Sequence, residues 1–133
     1  MKLLLDTHVW IWSQEDPDRL GSRTKRLLVD AGHENHICTV STLEVARLVA
    51  AGAISVSIAL REWVERALRA IQARTVQVSH EIAMEAYALP GPFHRDPADR
   101  LLVAASRCHE LTVLTADERI LAYRGVRSKD ARR

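Results

Sequence analysis

Lysine is scarce in this chain: only Lys2, Lys25 and Lys129 are present, so 16 of the 19 basic residues are arginine. Guanidinium forks suit phosphates, but a G+C-rich genome gives the same bias. Net charge is also nearly absent, at +2, so bulk electrostatics do not point to nucleic acid. The two cysteines, Cys38 and Cys108, form no metal-spaced pair and read as small buried hydrophobes, which fits a reducing compartment. No apolar run is long enough for a membrane. Gly52, Ser55 and Ser57 interrupt the least polar stretch, Leu48 to Leu60, and Asp6 cuts short the signal-like opening Met1-Lys2-Leu3-Leu4-Leu5. The expected location is therefore the cytoplasm. Repeats, low-complexity segments and interdomain linkers are missing too.

What remains is a chain of 133 residues, 47% apolar and 27% charged, with room for one domain and a proper core. Strand-like and helix-like segments alternate. Residues 2–5 form an apolar run without polar alternation, as in a parallel strand covered on both faces. Asp16-Pro17 opens a helix carrying Leu20, Leu27 and Leu28 and ending near Gly32. Strands are expected at Ile37–Val40, Thr75–Val78 and Leu111–Leu114, with a last short one at Val126. Helices are expected to follow Ser41, Ser57 and Ser79, the last broken by Pro90-Gly91-Pro92. Two more run from Pro97 to about His109 and from Asp117 to Tyr123. This alternation predicts a three-layer α/β/α sandwich with a central, mostly parallel sheet. The tail from Arg127 to Arg133 is polar and expected to be mobile.

Four acids, Asp6, Glu44, Asp99 and Asp117, each stand just past a strand-like run or at a helix start. In an open parallel sheet the carboxyl ends of the strands line one crevice, so acids more than 100 residues apart can converge there. Each has a bland explanation. Ser41-x-x-Glu44 and Thr115-x-x-Glu118 are capping boxes, and Asp96-Pro97-Ala98-Asp99 reads as an N-cap with a first-turn acid. Taken singly, capping accounts for Glu44 and Asp96 better than chemistry does. Asp6 has no clear capping partner in Asp6-Thr7-His8-Val9-Trp10. Capping also does not explain acids at the ends of several successive strands. Carboxylates gathered at 5 Å repel by roughly 3 kcal/mol per pair at an effective dielectric near 20, and a hard divalent cation relieves that. His8 and His94 flank the set. Trp10 and Trp12 read as packing residues, and Arg61, Arg66, Arg69 and Arg74 as a solvated helix face.

The segments Leu5-Asp6-Thr7-His8-Val9-Trp10, Ser41-Thr42-Leu43-Glu44, His94 through Ala105 and Leu114-Thr115-Ala116-Asp117 resemble, in order, the four signatures of a PIN domain. The likeness is closest to VapC-type toxins of bacterial toxin–antitoxin systems and runs from residue 3 to about residue 124. It implies that Asp6, Glu44, Asp99 and Asp117 are a catalytic quartet holding Mg2+ or Mn2+. Asp96 would be an accessory acid, and Thr7 and Thr115 would support the site. Where the family often has an aromatic residue before its third acid, this chain has Ala98. The resemblance further implies a single nuclease domain over residues 1–133, an RNA substrate, a cognate antitoxin partner and a homodimer, with no membrane association.

Other readings compete. A phosphoryl-transfer enzyme with Asp6 as acceptor would need a second aspartate where His8 stands, and a receiver-like switch would need paired early acids and a late lysine. A PIN-type RNA-processing nuclease outside a toxin–antitoxin pair and a non-catalytic interaction module both remain open.

Overall fold

The computed structural model describes all 133 residues. Five strands form one sheet in the order β3-β2-β1-β4-β5. These are β1 (Lys2–Leu5), β2 (Glu34–Cys38), β3 (Arg74–Val76), β4 (Thr112–Thr115) and β5 (Ser128–Asp130). Every neighbouring pair is parallel. The chain winds outward from β1 to β3 on one side, then returns to lay β4 and β5 on the other. The direction of winding therefore reverses at β1 and β4, whose carboxyl ends flank the crevice where such sheets bind ligands.

Side-chain alternation along the strands divides the core in two. Leu3, Leu5, Ile37 and Leu114 enter one apolar layer with Val9, Trp10, Val45, Trp63 and Ala67. Leu4, Cys38 and Val113 enter the opposite layer with Ile82, Leu102 to Ala105 and Ile120. The first layer belongs to α1 (Thr7–Glu15), α2 (Ser22–Val29), α3 (Thr39–Ala50) and α4 (Leu60–Ala70). The second belongs to α5 (His80–Glu85), α6 (Pro97–His109) and α7 (Glu118–Leu121). Trp10 is fully buried, edge-on to Trp63 at 5.2 Å, and its Nε1–H donates to the Ala67 carbonyl at 3.4 Å.

Several elements differ from the sequence expectation, each for a physical reason. The second strand lies three residues earlier than expected because polar Asn35 and His36 are satisfied inside the fold. Asn35 Nδ2 donates to the Leu28 and Ile71 carbonyls at 3.0 Å each, and His36 Nδ1 donates to the Leu3 carbonyl at 3.0 Å. The helix expected from Pro17 is only a 3-10 turn, Pro17–Arg19, before α2 begins at Ser22. The last strand falls at Ser128–Asp130, not at Val126.

That strand also corrects the expectation of a mobile tail. Ala131 is fully buried; its N–H donates to the Thr115 carbonyl at 2.8 Å, and its carbonyl accepts from the Gly21 N–H at 2.9 Å. The Arg133 backbone lies so close to Gly21 that a side chain there would collide with it. Polarity misled the reading, because an edge strand needs backbone pairing more than apolar side chains.

Ending the chain after Arg127 removes β5 and these main-chain bonds. It is expected to lower the unfolding free energy by about 2–4 kcal/mol, at roughly 1 kcal/mol per lost hydrogen bond. Urea denaturation checks this: an unchanged midpoint would mean the last six residues carry no part of the fold.

Candidate metal centre

Asp6 follows directly on β1, and its extended backbone starts α1. Its Oδ1 accepts from the Thr7 N–H at 2.7 Å, so Asp6 does cap a helix, contrary to the sequence expectation. Its Oδ2 accepts from Thr115 Oγ1 at 2.6 Å, which joins the ends of β1 and β4. Thr115 Oγ1 in turn accepts from the Asp117 N–H at 3.0 Å. One hydroxyl therefore orients two acids. Thr7 Oγ1 donates to Ser41 Oγ at 2.9 Å, tying the start of α1 to α3.

Glu44 is no capping-box residue. α3 begins at Thr39 after an N-cap, Cys38, that makes no side-chain cap bond, and Ser41 is fully buried. Glu44 therefore lies in the body of α3, free to face a cavity, where Arg47 Nη2 bonds its Oε2 at 2.9 Å. Asp96 does cap α6: its Oδ1 accepts from the Asp99 N–H at 3.0 Å. Pro97 holds the first helical position, which leaves Asp99 one turn into the helix.

A cavity of about 330 Å³ gathers Asp6, Thr7, Glu44, Asp96, Asp99 and Asp117 on its wall. His8, Trp12, Arg47 and Arg119 complete its polar and aromatic lining. All four sequence-expected acids and the accessory acid therefore share one cavity. Ligand atoms of two of these acids, Asp99 and Asp117, and of the neighbouring His94 lie within 4.8 Å of one another. Asp6, Glu44 and Asp96 stand outside this tight group.

The electrostatics follow from burial and crowding. Burial pushes the Asp6 carboxyl up, partly offset by its hydrogen bonds from Thr115 and Thr7. Burial, then the charges of Asp6, Asp96 and Asp117, push Asp99 up to about 7. Burial would also raise Asp117, but its hydrogen bonds to Arg119 and the Arg119 charge outweigh it and hold the carboxyl low. Arg119 donates through Nη2 to Asp117 Oδ2 at 3.0 Å and stands 3.7 Å from Asp99 Oδ2.

His94 Nε2 lies 3.1 Å from Asp99 Oδ2, off the hydrogen-bonding line, and has no bonding partner although it is buried. Burial and nearby Arg119 hold the ring below its ordinary value, so near neutrality it is uncharged and this contact is not a salt bridge. Its Nδ1 accepts from the Asp96 N–H at 3.4 Å.

Three participants escaped the sequence reading. Arg47 and Arg119 looked like any of sixteen arginines; their spacing of three after Glu44 and two after Asp117 was the available signal. Arg100 is the third. It donates to the carbonyls of His94, Ala86 and Phe93 at 2.9 Å each, pinning the loop that carries His94. Trp12, read as packing, also lines the cavity, with the Arg19 guanidinium 4.4 Å from its ring centre.

The raised Asp99 carboxyl makes folding pH-dependent without metal. The folded state keeps the Asp99 proton up to about pH 7, while the unfolded chain releases it near the ordinary carboxylate value of 3.8. The folded state thus binds more protons between those values, and stability falls as pH rises through that window. In EDTA, Asp99→Asn is expected to melt above the wild type at pH 8 by more than it does at pH 4. An identical difference in melting temperature at both pH values would refute the raised Asp99.

The PIN domain family model matches residues 3–126. The chain is 33% identical over 122 residues to Ribonuclease VapC22 of Mycobacterium tuberculosis, covering 92% of each sequence. Among solved structures it is similar to VapBC2 of Rickettsia felis bound to a promoter DNA fragment, with a TM-score of 0.66 at 14% identity. That match covers 97% of this chain and 98% of the other. A toxin–antitoxin complex of Klebsiella pneumoniae matches with a TM-score of 0.65 at 20% identity, over 97% of both chains. Five parallel strands flanked by helices, acids gathered at the β1/β4 crevice and a family match along nearly the whole length lead to one conclusion: the chain belongs to the PIN-domain family.

Proposed function

We propose that this protein is a single-domain, divalent-metal-dependent endoribonuclease and the toxin of a toxin–antitoxin pair acting in the cytoplasm. The observation that carries the reading is the acid cavity. Five carboxylates share its wall, and burial together with the charges of its neighbours pushes Asp99 up to about 7. The buried, unpartnered His94 Nε2 beside Asp99 fits the same picture of a site shaped for a further positive group. A donor set dominated by carboxylate oxygens suits Mg2+ or Mn2+. Asp6, Glu44, Asp99 and Asp117 would hold the cation, with Asp96 accessory.

When bound, such a cation neutralises phosphate charge and makes water a better nucleophile at neutral pH. The chain's own part is orientation. Thr115 and the Thr7 N–H fix both oxygens of Asp6, and Thr115 also sets the backbone of Asp117. Arg47 and Arg119 bear guanidinium forks on the wall of the same cavity, placed to meet phosphate oxygens once the carboxylates they now bond are engaged elsewhere. No residue is required as a covalent nucleophile.

The toxin assignment draws on the likeness to VapC22 and to structures described as toxin–antitoxin complexes. It adds a cognate antitoxin whose segment covers the acid cavity, and a homodimeric state. The rival PIN-type processing nuclease shares the chemistry but lacks such a partner. Co-expression with the product of an adjacent small open reading frame separates them: the antitoxin is expected to copurify and to block cleavage.

Purified protein is expected to cut total RNA with Mg2+ or Mn2+ and not with EDTA. Asp6→Asn and Asp99→Asn should each lower cleavage by more than about 100-fold, the upper range for residues that merely orient ligands. Full activity in both variants would end the assignment. Thr115→Val, which keeps every carboxylate but frees Asp6 Oδ2, should cost about 10- to 100-fold in activity. It should also weaken Mn2+ binding in calorimetry, whereas wild-type heats would show that the hydroxyl orients nothing of consequence.

A further inference from the structure

Beside the acid cavity lies a second, more open one of about 770 Å³, within the roughly 300–1,000 Å³ typical of small-molecule pockets. It is walled by the Pro90-Gly91-Pro92 turn, Phe93 and the α7 end from Ala122 to Gly125. The two cavities share one side chain, Arg119. Their chemistry is opposite. The first is lined by five acids; the second has none and carries Arg119 and Arg124 beside the aromatic rings of Phe93 and Tyr123.

The second cavity is also rigidly built. Tyr123 Oη donates to the Pro90 carbonyl at 2.5 Å, which joins the end of α7 to the turn. Arg100 holds the Phe93 and His94 carbonyls from below. Phe93 packs between His94 and Tyr123, with ring centres 4.4 and 4.7 Å away. Gly91 sits at φ +69°, a left-handed position that glycine fills without strain. These contacts hold the loop in place while Phe93 and Tyr123 rest against the core layer beneath.

We propose that this cavity is a nucleobase subsite, which receives an unpaired base of the RNA chain next to the phosphate engaged in the acid cavity. Aromatic faces and arginine planes are what proteins use to stack splayed-out bases of single-stranded RNA. Positive walls fit a polyanion, and a ring made only of acids would not. The shared Arg119 places the base pocket immediately beside the reacting phosphate, so it would choose where in a sequence the cut falls. This proposal takes from the nuclease reading only the identity of the polymer.

The test is fluorescence anisotropy of a fluorescein-labelled, single-stranded 12-nucleotide RNA of random sequence, titrated with the full-length protein in EDTA. Ala122→Glu and Arg124→Glu alter the mouth of the cavity at exposed positions that the core does not need. Ala53→Glu and Arg61→Glu make the same charge changes at exposed positions outside it. The first pair is expected to weaken binding by about tenfold, the size of one lost base stack, and the second pair by less than twofold. Equal affinity across all four variants, or no RNA binding by the wild type, would overturn the subsite. Parallel incubation with Mg2+ or Mn2+ keeps the two readings apart. RNA binding that depends on the second cavity without any cleavage would refute the nuclease and leave the subsite standing.

Discussion

A hydrogen bond of 2.6 Å between Thr115 Oγ1 and Asp6 Oδ2 spans 109 residues of sequence and closes the centre of the molecule. It exists because β1 pairs in parallel with β4, placing Leu5 opposite Leu114 and bringing the residues that follow each strand together. The Asp6 N–H completes the junction by donating to the Leu114 carbonyl at 2.9 Å. From this point α1 departs on one side and α7 on the other. A sheet whose winding reversed elsewhere would have the same acids at its edge and no cavity between them.

The cavity stores electrostatic tension that the arginines only partly relieve. Arg47 bonds Glu44 and Arg119 bonds Asp117, so each of these carboxylates has a counter-ion. Asp99 has only a distant guanidinium, Arg119 at 3.7 Å, and an uncharged His94 at 3.1 Å, and burial with the neighbouring acids pushes it up to about 7. Exposed arginine pairs contribute little to stability, and a cation or a phosphate can displace them at small cost. The arginines therefore solubilise the acids in the free protein without locking them.

Much of this was legible in the sequence. β1, with leucine at three consecutive positions, and α6, with its Asp96-Pro97 start, were read with their correct character because local chemistry decides them. The four acids that share the cavity stood out in the sequence because carboxylates after apolar runs violate the ordinary economy of a core. Three features were not legible. Glu34-Asn35-His36 hid a strand because its polar side chains find partners only in the folded state. Ser128–Asp130 hid another because its pairing is through backbone. Arg100 was indistinguishable from its neighbours, since what sets it apart is which carbonyls the fold places within reach.

The sequence by itself determined the alternation of strands and helices, the caps that start α5 and α6, and the inventory of acids. These depend on side-chain periodicity and on contacts within a few residues. Tertiary structure alone decided which acids meet and which arginine counters each one. It also decided that Asp99 carries the electrostatic strain and that an aromatic, cationic cavity adjoins the acidic one. Those outcomes depend on distances between segments far apart in the chain, set by strand order and by burial, which act through space and leave no local trace in the order of residues.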